Sequence, residues 1–231
     1  MNLFELVKPA PPDPILGLTE AFRSDPNPEK INLSVGVYQD ETGVSPVLDS
    51  VRKAEARLAE SGNSKGYLPI NGHPDFIGHA QSLVFGVENE MLTTNRVASV
   101  HTPGGTGGLR LAADFVRRCL GRRSVWVSNP TWANHEGIFS AADLPIERYP
   151  YYDAEHHGLN LSGMITVLED IPENDVVLLH ACCHNPTGVD PDADDWETIA
   201  KVCKERRLLP IVDFAYQGEA DDFSWILPVP S

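Results

Sequence analysis

Strands and helices alternate along most of this chain, from Arg96 to Phe214, and this alternation limits the fold more than any other feature. Apolar stretches of strand length, such as SVWVS, DVVLLH and LLPIVD, are separated by amphipathic stretches of helical length. Such alternation is typical of a mostly parallel sheet flanked by helices on both faces. We therefore expect an α/β fold in which functional residues lie just beyond the carboxyl ends of the strands.

The part of the chain before this region predicts shorter elements. ILGLTEAFRS and VRKAEARLAE each have the apolar spacing of a helix, and the first is followed by Asp-Pro and Asn-Pro. INLSVGVYQDETG predicts a strand with a Gly-centred turn, and Asn71-Gly72 predicts a turn before another helix. RVASVH predicts a strand that leads into a glycine-rich loop.

Charge and the termini exclude several classes of partner. The chain has 33 acidic and 18 basic residues, a formal net charge of −15, which repels nucleic-acid phosphates and anionic membranes. The N-terminal MNLFELVKPAPPDP lacks the apolar core of a signal peptide, and no stretch approaches about 18 apolar residues in a row. We expect a cytoplasmic protein with no nucleic-acid or membrane partner, whose four cysteines are reduced.

A glycine-rich segment, TPGGTGGLR, runs from Thr102 to Arg110 between a predicted strand and a predicted helix. Backbone N–H groups and the helix dipole favour anions at such a position, so the segment is a candidate phosphate site. Its glycine spacing does not match a dinucleotide fingerprint, because Arg110 occupies the place of the third glycine, and it lacks the Gly-Lys-Ser/Thr of a nucleotide P-loop. The alternative is a tight turn without a ligand.

The next strand is followed by SNPTWANH, which puts Trp132 at the start of a helix that Asn129 or Thr131 can cap. An ordinary core or surface tryptophan is one interpretation. The other is an aromatic face on which a flat heteroaromatic cofactor stacks beside the phosphate loop.

HACCHNPTG contains two cysteines and two histidines, and this composition suggests a metal site. In an extended chain, however, the side chain of Cys183 points away from those of His180 and His184, so four ligands cannot converge. We therefore predict no metal. Asn-Pro-Thr-Gly is better interpreted as a rigid turn that carries Asn185, whose amide can donate a directed hydrogen bond.

DFAYQG places the carboxylate of Asp213 at the end of an apolar strand and the phenol of Tyr216 three residues later. The carboxylate has two interpretations: a cap for a following helix, or a counter-charge for a protonated ring nitrogen. In pyridoxal phosphate chemistry such a carboxylate keeps the pyridinium protonated, so that the ring accepts electrons from a substrate carbanion.

Together these four segments resemble the aspartate and aromatic aminotransferases, enzymes of fold type I that use pyridoxal phosphate. DPILGL, INLSVGVYQDETG and GYLPINGHPDF resemble the family's N-terminal arm, substrate-facing strand and interface tyrosine segment, and the match is collinear from Asp13 to Gly218. The resemblance, closest to aspartate aminotransferase, implies a homodimer that exchanges an amino group between an amino acid and a 2-oxo acid.

The resemblance also implies roles for residues in the glycine-rich, tryptophan and aspartate segments. Gly105 and Thr106 would bind the cofactor phosphate. Trp132 would stack on the pyridine ring and face the substrate. Asp213 would pair with the ring nitrogen.

Four further roles are implied in the same way. Asn185 and Tyr216 would hydrogen-bond the phenolic oxygen of the cofactor, and Asn185 would also contact the substrate. Gly36 would lie near the substrate carboxylate. Tyr67 would reach across the dimer interface to the partner's cofactor phosphate.

The family's Schiff-base lysine, which also moves the substrate's α-proton, is expected after the DFAYQG segment, and no match to it is found. The six lysines of the chain lie in polar turns, the Pro-rich lead or charged helical faces, so no catalytic residue is assigned. The expected domains are an N-terminal arm with a small-domain segment (1–45), a truncated cofactor-binding large domain (46–218) and an atypical, out-of-frame tail (219–231).

Three functional hypotheses remain open, in this order. The first is a truncated aminotransferase of the aspartate type that is inactive alone. The second is one half of a split aminotransferase that a separate C-terminal fragment complements. The third is a module that binds pyridoxal phosphate or a carboxylate without a covalent bond. Whether the parent substrate was aspartate or an aromatic amino acid stays open, because the arginines that clamp substrate carboxylates in the family are not matched.

Overall fold

The computed structural model describes residues 7, 14–31, 39–121 and 123–220. The chain divides into two compact units, Met1–Gly66 and Tyr67–Ser231. The domain boundaries predicted after residues 45 and 218 stay predictions. Among the helices of the described residues, none combines the length and the apolar character needed to cross a bilayer.

The first unit contains helices α1 (Pro14–Ser24) and α2 (Asp49–Glu60), both of which the sequence predicts. α1 ends before Asp25, because the residue that precedes a proline is disfavoured in helical geometry. The predicted Gly-centred turn is present: Gly43 has a φ of +77°, and its N–H donates to the carbonyl of Asp40 at 2.9 Å. The strand predicted just before this turn falls on residues 32–38, outside the described residues.

The second unit contains the alternating elements, preceded by two helices. In chain order they are α3 (Pro74–Phe85), α4 (Glu90–Thr93), α5 (Gly104–Cys119), β1 (Val125–Asn129), α6 (Ala133–Ala141), β2 (Ile146–Pro150), β3 (Tyr152–Asp153), β4 (Gly158–Leu159), α7 (Leu161–Asp170), β5 (Val176–His180), α8 (Ala193–Glu205) and β6 (Leu209–Asp213).

Four strands form one sheet in the order β2-β1-β5-β6, and every neighbouring pair is parallel. The register aligns Asn129 with Pro150 and His180 with Asp213, so the strands finish together at one edge. β3 and β4 form a separate antiparallel pair. The predicted parallel α/β fold is confirmed.

Helices cover both faces of the sheet, as predicted. α5 and α6 pack on one face, where Ala113 and Phe139 lie against Val127 of β1. α7 and α8 pack on the other face, where Met164 and Ile199 are fully buried. Because both faces are covered, all five residues of β5 are buried, which explains why residues 176–179 are all apolar rather than alternating with polar residues.

Two predicted elements, a strand and a loop, differ from the structure. Residues 96–101 form no strand, and the N–H of His101 donates to the carbonyl of Asn71 at 2.8 Å, so a loop rather than a sheet partner satisfies it. The glycine-rich segment is not a separate loop, because α5 already begins at Gly104. Its glycines therefore form the first turn of the helix, where four N–H groups lack intrahelical acceptors.

Candidate functional site

The candidate site lies at the edge of the sheet where the parallel strands end. β1, β5 and β6 are adjacent in the sheet and finish at Asn129, His180 and Asp213. The segments that follow them carry Trp132, Asn185 and Tyr216, so three of the predicted segments leave the sheet side by side. This edge is where open α/β sheets bind their ligands.

Asp213 is held by a histidine that is distant in sequence. Oδ2 of Asp213 lies 3.1 Å from Nε2 of His135, whose side chain is fully buried, while the aspartate side chain is 20% exposed. The His135 hydrogen bond, acting against burial, holds the pKa of Asp213 below its usual value. The carboxylate is therefore ionised at neutral pH and still partly accessible to solvent.

His135 belongs to a chain of hydrogen bonds that returns to Asn185. Nδ1 of His135 lies 2.8 Å from the hydroxyl of Thr131, and that hydroxyl lies 3.5 Å from Nε2 of His180, the longest link. Nδ1 of His180 accepts the backbone N–H of Asn185 at 3.1 Å. Asp213 and Asn185 are thus joined through two imidazoles and one hydroxyl.

The direction of these hydrogen bonds follows from one fixed donor. A backbone N–H only donates, so Nδ1 of His180 must accept from Asn185 and Nε2 must carry the proton. Nε2 then donates to Thr131, whose hydroxyl proton points to Nδ1 of His135. Nε2 of His135 carries the remaining proton and donates it to Asp213. Every link therefore favours the ionised carboxylate.

His184 is a further buried histidine next to His180. Its ring stacks on Tyr151 at a centroid distance of 3.8 Å and on His180 at 4.3 Å, and its Nε2 lies 2.9 Å from the hydroxyl of Ser128. Burial lowers the pKa of His184 to about 3 and that of His180 to about 4. Both imidazoles are neutral at pH 7 and act as hydrogen-bonding and packing groups.

The extended geometry expected for HACCHNPTG, on which the exclusion of a metal was based, is wrong. β5 ends at His180, and Cys183 has a φ of +49°, so the segment is not extended and its side chains do not alternate. His180 and His184 instead stack on each other. Among the described residues, no group of three or more histidine, cysteine or acidic side chains is arranged to hold a metal ion.

Trp132 is half-buried at the start of α6. It packs against the core under α5 and α6, and it meets His135 edge to face at a centroid distance of 5.2 Å. The predicted caps are wrong: Trp132 itself occupies the N-cap position without a side-chain cap, because the hydroxyl of Thr131 is bonded to His135.

The loops that carry Asn185 and Tyr216 are joined directly. The thiol of Cys182 donates to the carbonyl of Tyr216 at 3.3 Å, and the N–H of Ala181 donates to the carbonyl of Asp213 at 2.8 Å. Asn185 and Tyr216 are both half-buried. No helix follows Asp213 within the described part of the chain, so the helix-cap interpretation of this aspartate is not supported.

Gly105 and Thr106 lie in the first turn of α5 and are exposed. A side chain at Gly105 would meet no other atom within 4 Å, so open space lies against this turn. Tyr67 is also fully exposed. No hydrogen bond, ion pair or ring contact of the described residues joins Tyr67, Gly105 or Thr106 to Asp213, His135 or His180. Gly36 lies outside the described residues.

Sequence reasoning missed the residues that hold Asp213. The sequence does indicate the contact between Thr131 and His135, because in TWANH they are four residues apart and so share one face of a helix turn. The partnership of His135 with Asp213 spans 78 residues, and nothing in the local sequence indicates it. His180 and His184 were considered only as metal ligands, although they serve as buried hydrogen-bonding groups.

Comparison with known proteins gives consistent matches. The family described as "Aminotransferase class I and II" matches residues 28–224. Aspartate aminotransferase from Escherichia coli K12 is 50% identical over 218 residues, which cover 94% of this chain and 55% of the relative. Aromatic-amino-acid aminotransferase from Pseudomonas aeruginosa is 48% identical over 221 residues, with 96% and 55% covered.

Solved structures agree with these relatives. An aromatic amino acid aminotransferase from Burkholderia cenocepacia superposes with a TM-score of 0.93 at 43% identity, covering 97% of this chain and 56% of that one. An aromatic-amino-acid aminotransferase from Burkholderia pseudomallei, covalently bound to pyridoxal phosphate, gives a TM-score of 0.91 at 45% identity, with 94% and 55% covered.

This chain spans about half the length of the curated relatives it matches. Within that span the agreement extends over sequence, sheet topology and family profile. The chain belongs to the class I and II aminotransferases, a pyridoxal-phosphate-dependent family of fold type I, and is similar to its aspartate and aromatic aminotransferases.

Proposed function

We propose that this chain binds pyridoxal phosphate at the carboxyl edge of its sheet and forms part of an aminotransferase site of the aspartate or aromatic type. The reaction is the exchange of an amino group between an amino acid such as aspartate and a 2-oxo acid. The observation that carries the proposal is the ionised, partly exposed carboxylate of Asp213, held by the buried ring of His135.

The donor set fits the cofactor's ring. Bound pyridoxal phosphate supplies an electron-accepting pyridinium, which is effective only while its ring nitrogen stays protonated. Asp213 would keep the ring nitrogen protonated, because an ionised carboxylate stabilises a neighbouring cation. Trp132, half-buried next to His135, offers an indole face against the ring.

Asn185 and Tyr216 complete the ring contacts in this proposal. Both side chains are half-buried on neighbouring loops, and the bond from Cys182 to the Tyr216 carbonyl ties those loops together. Their amide N–H and phenol O–H both donate, so they favour the ionised form of the cofactor's phenolic oxygen. The proposal also assigns substrate contacts to Asn185 and Trp132.

The phosphate is assigned to the first turn of α5. Gly105 and Thr106 present N–H groups without intrahelical acceptors, and the helix dipole favours a dianion there. The open space next to Gly105 leaves room for the phosphate oxygens. In the proposed homodimer, the exposed phenol of Tyr67 contacts the phosphate bound by the partner subunit.

None of the described lysines is buried, so none has the desolvated amine that a Schiff-base lysine needs. Lys201 and Lys204 lie on the exposed face of α8, whose last turns run toward the amino ends of the strands, opposite the site. Lys30 donates to the carbonyls of Phe22 and Asp25 in the first unit. We therefore propose that this chain alone binds the cofactor without a covalent bond and does not transaminate.

Titration of the purified chain with pyridoxal phosphate, followed by borohydride reduction and mass spectrometry, tests this function. We expect saturable binding that Asp213→Ala weakens at least about tenfold, the loss of about one charge-assisted contact. Asp153→Ala, which removes an exposed carboxylate bonded to His156, is the matched control and leaves binding unchanged. Binding that is absent, or equal in Asp213→Ala, contradicts the proposal. A stable adduct at one lysine contradicts its noncovalent part.

A second candidate is one half of a two-chain aminotransferase. β6 pairs only with β5 in the described part of the chain, and Leu209 and Val212 of β6 are 36% and 41% exposed. An edge strand of this kind favours pairing with another strand. The chain also spans about half the length of its relatives.

Co-expression tests the two-chain alternative. The partner is the portion of the Escherichia coli relative that this chain does not match. Co-purification and transamination between aspartate and a 2-oxo acid are expected, and that fragment alone is the activity control. Val212→Lys on the β6 edge abolishes co-purification, whereas Leu83→Lys, at an apolar residue that is 71% exposed on α3, does not. Separate elution of the two wild-type fragments rules out this alternative.

A further inference from the structure

The turn that presents Asn185 contains a residue in an unfavourable backbone conformation. Cys183, two positions earlier, has a φ of +49°, in the left-handed region that residues with a Cβ rarely adopt. Such a conformation is unfavourable for a residue with a Cβ and persists only where neighbouring groups impose it. Some feature of the surrounding structure must therefore hold this turn.

The carboxylate of Asp190 is that feature. Its Oδ2 accepts the N–H of Cys183 at 2.6 Å, and its Oδ1 accepts the N–H of His184 at 2.8 Å. Only φ and ψ of Cys183 separate these two N–H groups along the backbone. A carboxylate that holds both therefore fixes both angles, as anions do in the concave backbone arrangements known as nests.

The other side of the turn is anchored independently. The carbonyl of His184 accepts the N–H of Gly188 at 2.7 Å, and Nδ1 of His184 lies 2.8 Å from the hydroxyl of Thr187. Nε2 of the same ring contacts Ser128 of β1 at 2.9 Å. Because His184 is itself fixed, the Asp190 contacts determine how Asn185 leaves it.

We propose that Asp190 is a positioning residue for Asn185: by holding the N–H groups of Cys183 and His184, its carboxylate orients the Asn185 side-chain amide for contact with the cofactor. The inference rests on the proposed function for the identity of the cofactor. Asp190 itself touches neither cofactor nor substrate. Its contribution reaches the cofactor's phenolic oxygen only through Asn185.

The same turn orients the backbone N–H of Asn185 toward Nδ1 of His180. Asp190 therefore supports two parts of one residue: the side-chain amide proposed to contact the cofactor, and the N–H that sets the direction of the hydrogen bonds ending at Asp213. Asp190→Asn replaces one acceptor oxygen with an NH₂ group that faces an N–H donor, so one of the two bonds is lost.

The first experiment needs no cofactor. Nuclear magnetic resonance measures amide hydrogen exchange at Cys183 and His184 and the side-chain χ1 couplings of Asn185. In Asp190→Asn we expect exchange about tenfold faster or more at the amide that loses its acceptor, and averaging of Asn185 over several rotamers. Asp153→Asn is the matched control, because Asp153 also accepts two successive N–H groups, from Glu155 and His156. Unchanged exchange and a single Asn185 rotamer in Asp190→Asn overturn the proposal.

The second experiment uses pyridoxal phosphate and its visible absorbance, which reports ionisation of the phenolic oxygen. Asp190→Asn and Asn185→Ala are expected to shift that transition to higher pH, and the double variant is expected to match Asn185→Ala alone. Additive effects of the two substitutions overturn the proposal, because they show that Asp190 acts without Asn185. If the wild-type chain binds no cofactor, the proposed function fails, and the first experiment still decides the role of Asp190.

Folding of the variant is checked by circular dichroism and urea unfolding. If Asp190→Asn does not fold, the exchange and rotamer measurements are made on Asp190→Ser, whose hydroxyl retains one acceptor. In that variant we expect the same direction of change at Cys183 and His184. Wild-type exchange rates there overturn the proposal equally.

Discussion

Nε2 of His135 lies 3.1 Å from Oδ2 of Asp213, and this contact joins the first turn of α6 to the end of β6. His135 is fully buried and Asp213 is partly exposed, so the histidine supports the carboxylate from the protein interior while part of the carboxylate stays accessible to solvent. The geometry makes Asp213 an anion whose charge state depends on a residue that a ligand does not touch.

Replacement of His135 should therefore raise the pKa of Asp213. His135→Phe removes the hydrogen bond that lowers this pKa, and burial, which raises it, then dominates. Titration of the Asp213 carboxyl carbon by nuclear magnetic resonance measures the shift. His79→Phe, at a histidine on α3, is the control and leaves the Asp213 titration unchanged. If the pKa of Asp213 is the same in His135→Phe as in the wild-type chain, the contact with His135 does not affect the ionisation of this carboxylate.

Stability should fall on acidification between pH 6.5 and about 4. The folded-state pKa is about 4 for His180 and about 3 for His184, both below the value of 6.5 expected when unfolded. The unfolded chain therefore binds more protons in this range, and the stability present above pH 6.5 is lost as the pH falls. Each histidine contributes at most about 1.4 kcal/mol per pH unit. The lowered pKa of Asp213 affects stability mainly below pH 3.8, the ordinary pKa of this group, and contributes little to the loss between pH 6.5 and 4.

Urea unfolding at several pH values measures this dependence. His184→Gln removes one titrating group and should flatten the profile, whereas His156→Gln, at an exposed histidine, should not. If the free energy of unfolding of the wild-type chain does not change between pH 6.5 and 4, the lowered pKa values of His180 and His184 are contradicted.

The core beneath α5 and α6 should be sensitive to truncation at Phe139. This side chain is fully buried among residues of β1, β5 and α5, so Phe139→Ala removes apolar contact and leaves a cavity. We expect a loss of about 3–5 kcal/mol in the free energy of unfolding. Phe115→Ala on α5, where the side chain is 55% exposed, is the matched control and should cost less than about 1 kcal/mol. Equal losses contradict the core assignment.

Gly72 is placed where a side chain does not fit. An added Cβ would overlap the Cβ of His101 and lie 3.1 Å from its Cγ, and the backbone has a φ of +103°. Gly72→Ala is expected to destabilise the chain by about 2 kcal/mol more than Gly86→Ala. Gly86 also has a positive φ, +82°, but a Cβ added there would meet no atom within 4 Å, so the difference isolates the clash.

Thermal or urea unfolding measures both glycine variants. The double variant Gly72→Ala with His101→Gly removes the obstructing Cβ and should recover part of the lost stability relative to Gly72→Ala. If Gly72→Ala and Gly86→Ala are equally destabilising, the contact with His101 is not limiting.

Local sequence was sufficient for most of the fold. The apolar runs of β1, β5 and β6 and the amphipathic runs of α5 to α8 predicted a parallel sheet covered on both faces, and the structure has it. These elements are predictable because side-chain periodicity reports burial within about ten residues of chain. The strand predicted at residues 96–101 is absent from the structure, because an apolar run becomes a strand only if another strand bonds to it.

The sequence by itself determined the family, the order of the elements and the side chains that follow each strand, including Trp132, Asn185 and Asp213. Only the tertiary structure decided which buried groups hold them. His135 contacts Asp213, which is 78 residues away in sequence. Asp190 accepts a hydrogen bond from Cys183, and the left-handed backbone conformation of Cys183 is not predictable from any local sequence pattern. The physical reason is that periodicity encodes which face of an element is buried, whereas hydrogen-bond partners between elements depend on where parallel strands place their ends in space.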